Sequence, residues 1–111
     1  MQNISLKKDV QKEILVKYDS RSKLFKFRWT LYKNGGLVIH RSYDTIVAQN
    51  ILYMRYNNQS FRVTLKPHGF KDYSLPYILV KFTKFNAEKN EAEFDLFLSD
   101  DEREITIKYL K

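Results

Sequence analysis

Residues 23–43 read KLFKFRWTLYK, NGG and LVIHRSY, and this stretch limits the chain's folding options more than any other. In the first arm Phe25, Phe27, Trp29 and Leu31 alternate with Lys26, Arg28, Thr30 and Tyr32. Side chains switch faces at every residue of a strand, so the arm is a half-buried strand with one aromatic face. Asn34-Gly35-Gly36 supplies the positive-φ positions of a hairpin turn. A two-residue Asn34-Gly35 loop sets Arg28 opposite Arg41. A three-residue loop sets Leu31 opposite Ile39 and Trp29 opposite Arg41, and is expected because it buries Leu37 and Ile39. A slip of one residue exchanges the faces, so one register must hold.

The same alternation recurs along the chain. Ile4, Leu6 and Val10 suggest an arm or edge strand within residues 1–10. Strands are expected over residues 12–18, 50–56, 61–66 and 77–85, with two more around Phe94 and Ile107. Residues 44–49 read as a connection, and pairing Tyr56 with Phe61 places Met54 opposite Val63. Residues 67–76 form the one long loop. Helical periodicity is nearly absent, so the expected fold is all-β. It is one antiparallel domain over residues 1–111, a β-sandwich or small closed barrel of about eight strands joined mainly by up-and-down hairpins.

Composition narrows the classes further. The chain has 111 residues, three glycines, two prolines and 15% aromatic residues, which argues for an ordered core. With no cysteine, disulfides and thiolate metal sites are excluded. The opening residues lack a continuous apolar run and no segment is apolar enough to span a membrane, so a cytoplasmic protein is expected. The net charge is +7, with 16 Lys and Arg against 5 Asp and Glu in residues 1–85, and 4 against 8 in residues 86–111. Setting Phe82 opposite Phe94 faces Lys81 with Asp95 and Leu79 with Phe97. Setting Leu98 opposite Ile105 brings Lys108 to the other side of Asp95. The acidic end is thereby explained as a central strand between basic ones.

No catalytic constellation emerges. His40 and His68 have no partner at metal-ligand spacing, and no phosphate-binding glycine loop or nucleophile elbow is present. His68 with Asp72 and Tyr73, on the long loop, is the one arrangement from which an enzyme site could be assembled. The acidic run at Asp100, Asp101 and Glu102 is a solvated turn rather than a calcium loop. No cofactor, metal or catalytic residue is assigned. The leading expectation is a non-enzymatic module that binds another protein or self-associates, with Leu79 and Phe97 as an outward apolar pair. The alternative is single-stranded nucleic acid, or another polyanion, held on a basic, tyrosine-bearing sheet face. That face comprises Lys26, Arg28, Tyr32, Tyr53, Arg55, Arg62 and Lys66. A third reading is a barrel enclosing a small ligand, although seven large inward side chains would fill it.

Overall fold

The computed structural model describes residues 2–18, 21–54, 58–65, 76–99 and 105–110. Among them the chain forms nine strands and no helix. In order these are β1 (Gln2–Lys7), β2 (Lys12–Tyr18), β3 (Arg21–Lys33), β4 (Gly36–Tyr43), β5 (Ile46–Tyr53), β6 (Ser60–Thr64), β7 (Tyr77–Asn86), β8 (Glu91–Ser99) and β9 (Thr106–Tyr109). Two antiparallel sheets result, one ordered β1-β8-β7-β6 and the other β5-β4-β3-β2-β9. They pack face to face as a sandwich, not a closed barrel. No helix among the described residues is long and apolar enough to cross a membrane.

The inward phases are those the alternation dictates. Phe25, Phe27 and Trp29 on β3 meet Phe61 on β6 and Phe82 and Phe94 on β7 and β8, and all are buried. Phe27 lies edge-on to Phe94 with centroids 5.5 Å apart, and Phe25 and Phe27 each meet Phe61 edge-on. Edge-to-face geometry suits the ring quadrupoles, so these pairs contribute beyond their burial. These rings interdigitate at the centre of the sandwich. The Trp29 indole nitrogen donates to the Leu6 carbonyl at 2.7 Å, which ties β1 across the sandwich.

Two β-bulges rework the pattern at one end of the sandwich. In the β3–β4 hairpin Lys33 pairs with Gly36 and Leu31 with Val38, yet Trp29 pairs with Ile39, so Thr30 is the extra residue. The turn is therefore the two-residue Asn34-Gly35 loop, both residues at positive φ, and not the three-residue loop. Leu31 does not face Ile39 and Trp29 does not face Arg41. The bulge lets the tight turn coexist with burial of both Trp29 and Ile39. It also exchanges the faces beyond it: Leu31 turns out and Tyr32 turns in. A matching bulge at Thr83 turns Lys84 out and Phe85 in. The Tyr32 and Phe85 rings then stack with centroids 3.9 Å apart.

Connectivity departs from simple up-and-down order where the chain changes sheets, between β1 and β2, β5 and β6, and β8 and β9. Strand β5 begins directly after the Asp44-Thr45 turn, so residues 46–49 are strand and not connection. After β5 the chain changes sheets, β6 pairs with β7, and Met54 does not pair with Val63. Strand β9 joins β2 in the other sheet, where Lys108 faces Leu15. The place beside β8 belongs to β1, whose Ile4 and Leu6 face Phe94 and Ala92. The edge strand expected in residues 1–10 is thus β1, and it takes the position assigned to the last strand.

Asp95 accordingly lies between Lys81 and Asn3, not between Lys81 and Lys108. The Asn3 amide donates to its carboxylate at 2.8 Å. The expected Phe82–Phe94 register holds, with Phe94 fully buried and Asp95 on the solvated face. Phe94→Ala should therefore cost about 3–5 kcal/mol, and Asp95→Lys about 1 kcal/mol. Urea unfolding of the two variants checks the order, and a reversed order would mean the faces of β8 are misassigned.

Candidate protein-interaction edge

Sheet edges carry unpaired backbone groups, and the four edges here are protected unequally. Strands β1, β6 and β9 are short, and each carries a cation: Lys7, Arg62 or Lys108. Short, charged edges resist adventitious pairing. Strand β5 reads IVAQNILY, eight residues without a charge or a proline. Among the described residues no strand pairs with its far side. The Tyr53 amide donates to the Asn58 carbonyl at 3.2 Å, and the Asn58 side-chain amide donates to the Ile51 carbonyl at 3.3 Å. Asn58 lies on the side of β5 remote from β4. Backbone groups alternate along a strand, so the amides of Val47 and Gln49 point the same way.

Apolar side chains accompany this edge. Leu31, Val38 and Ile51 form one line across β3, β4 and β5 on the outer face. Leu31 is 49% and Ile51 46% exposed, while Ile46 and Val47 at the other end of β5 reach 74% and 78%. Scattered apolar residues are ordinary on a surface, but a grouped set beside an unpaired edge marks an interaction site.

The inner side of the same margin holds Arg41. Its position on β4 follows Leu37 and Ile39 on the core face, so the guanidinium is carried inward to the rim of the sandwich. There it lies 4.9 Å over the Phe61 ring, and its Nε donates to the Asn50 side-chain oxygen at 2.6 Å. Burial lowers its pKa from the ordinary arginine value, a desolvation effect that leaves the cation charged at neutral pH. Among the described residues no carboxylate pairs with it. Beside it a groove of about 230 Å³ runs between the β5 and β6 margins, with Ala48, Ile46, Val63 and Leu65 in its walls.

Of the residues expected to form a nucleic-acid face, the described ones, Lys26, Arg28, Tyr32, Tyr53 and Arg62, do not share one face. Lys26 and Arg28 do share the outer face of β3, near His40. Arg28, however, meets Asp9 at 3.3 Å, and Lys26 stands opposite Glu13. Tyr32 is turned inward by the Thr30 bulge. Tyr53 is on the outer face at the far end of β5, where its ring covers Gly36; an added Cβ there would meet it at 2.9 Å. Arg62 belongs to the other sheet and lies 3.9 Å over the Tyr77 ring. Arg55 and Lys66 lie outside the described residues, as do His68, Asp72, Tyr73 and the acidic run Asp100, Asp101 and Glu102.

Leu79 and Phe97 do face each other on the outer side of the four-stranded sheet. Phe97 is 37% exposed and Leu79 half-buried, with Arg62 next in line. Strand β1 extends that sheet past β8 and does not cover the pair. The β5 margin went unread because residues 44–49 looked like a connection; the uncharged run IVAQNILY is the signal that could have found it. No family model, curated protein or solved structure matches this chain.

A partly desolvated cation held only by Asn50 and the Phe61 ring among the described residues carries a burial cost that an apolar side chain of similar length avoids. Arg41→Met should leave stability unchanged or raise it by about 1 kcal/mol. Urea midpoints measure this. A loss well beyond 1 kcal/mol would make the guanidinium a structural element.

Proposed function

We propose that this chain is a binding module, not a catalyst, and that it engages another protein through the β5 margin of its five-stranded sheet. The observation that carries the reading is an uncharged eight-residue edge strand with no described strand on its far side, where Asn58 engages only the Ile51–Tyr53 end, and with Ile46, Val47 and Ile51 exposed. Natural edges of this kind invite pairing unless something occupies them. The Leu79–Phe97 pair is smaller and adds a single exposed ring.

The test is to pan a displayed library of random peptides against the wild-type protein and a Val47→Lys, Ile51→Lys double variant. Both side chains point to solvent, so the variant should fold. Peptides should be enriched on the wild type and lose most of their binding to the variant. No enrichment, or enrichment that ignores the two lysines, overturns the reading.

The polyanion alternative retains Lys26 and Arg28 as neighbours, with their charges facing Glu13 and Asp9. Any oligonucleotide affinity should therefore be weak counterion binding, lost by about 0.2 M salt. Fluorescence anisotropy with a labelled single strand measures it. Affinity that persists in salt and falls with Tyr53→Ala would favour nucleic acid over protein.

A further inference from the structure

The unpaired edge of β5 and the Arg41 guanidinium border the same groove. In the β4–β5 ladder Arg41 faces Ala48, a small side chain, and both line the groove. Lys23 also lines the groove, but it is paired with Asp44 at 2.5 Å. A strand laid along β5 would present alternate side chains to the two faces. Its outer ones would lie beside Val47 and Gln49, short of the Ile51 carbonyl that Asn58 engages, and its inner ones over the groove. The inner side chain opposite Ala48 would be the one nearest Arg41.

We infer that β5 takes up an extended segment of a partner protein as a sixth strand, with an aspartate or glutamate of that segment seated on Arg41. This rests on the β5 margin being the binding surface and adds the mode of binding and the partner's chemistry. Strand addition gives the outward amides of Val47 and Gln49 their acceptors. A carboxylate gives the guanidinium the forked partner that no described residue supplies. Charge argues against a second copy as the occupant. The chain carries +7, and β5 offers no carboxylate to a neighbouring Arg41.

The probe is a synthetic heptapeptide alternating threonine with valine, with glutamate at the centre of the valine face; its control carries glutamine. With the glutamate peptide at saturation, hydrogen exchange at the Val47 and Gln49 amides should slow by about tenfold or more. By anisotropy the glutamate peptide should bind about tenfold tighter than the glutamine peptide. That ratio should fall to near one in Arg41→Gln.

Four results overturn the inference. The first is no measurable binding of the glutamate peptide. The second is binding that Val47→Lys abolishes but that leaves the Val47 and Gln49 amides unprotected. That outcome keeps the margin as a binding surface and removes strand addition. The third is a glutamate preference that survives Arg41→Gln. The fourth is protection without peptide that grows with protein concentration, which would make a second copy the occupant.

Discussion

The contact on which the sandwich depends is the aromatic seam along β3. Phe25, Phe27 and Trp29 belong to one sheet, yet their ring partners Phe61, Phe94 and Phe85 belong to three different strands of the other. Each strand of that sheet is therefore held to β3, directly by rings or, for β1, through the Trp29–Leu6 hydrogen bond. Edge-to-face pairs add about 0.5–1.5 kcal/mol each to the burial of the rings. The seam also fixes the separation of the layers, since rings meeting edge-on leave no room for closer approach. Everything at the rim, including the groove at Arg41, is set by where this packing stops.

Strand identity and inward phase were legible in the sequence wherever alternation ran unbroken. The Phe82–Phe94 register followed from apolar matching alone, because a slip would have exposed a phenylalanine. Bulges were not legible. Thr30 and Thr83 resemble any other outward residue of a strand, and only the opposing strand shows that each is supernumerary. The opposing faces of Tyr32 and Leu31 followed from that one hidden insertion. Sheet membership was equally hidden. Strands β5 and β6, or β8 and β9, have the spacing of hairpins, and nothing local records that the chain crosses the sandwich between them. Where both sheets offer an apolar edge, tertiary packing makes the choice.

The candidate site was less readable than the fold, for a related reason. A cluster of cations and tyrosines in sequence implies a shared face only if their strands share a sheet, and Arg62 shows how the inference fails. The three-residue register sends Arg41 inward, where an arginine conflicts with an apolar face. That conflict was the informative signal. A local rule broken at one position, with no compensating ion pair among the described residues, is where function is to be sought.

The ladder between β1 and β8 carries a consequence for the order of assembly. Gln2 is paired with Leu96 and Lys7 with Glu91, so this ladder joins strands nearly the whole described chain apart. The meander β2 to β5 closes through local turns and can form while later residues are still being synthesised. Strand β1, made long before β8, has no such option. Its Ile4 and Leu6 must wait, solvated, until β8 exists and is paired with β7, and the long loop this closes is entropically dear. The sheet that contains β1 thus completes last at its own first-made strand. In that interval the nascent chain displays β1 with neither side paired, together with the β2 and β5 margins of the meander; β8 then takes one side of β1, β9 covers β2, and β5 stays an outer edge.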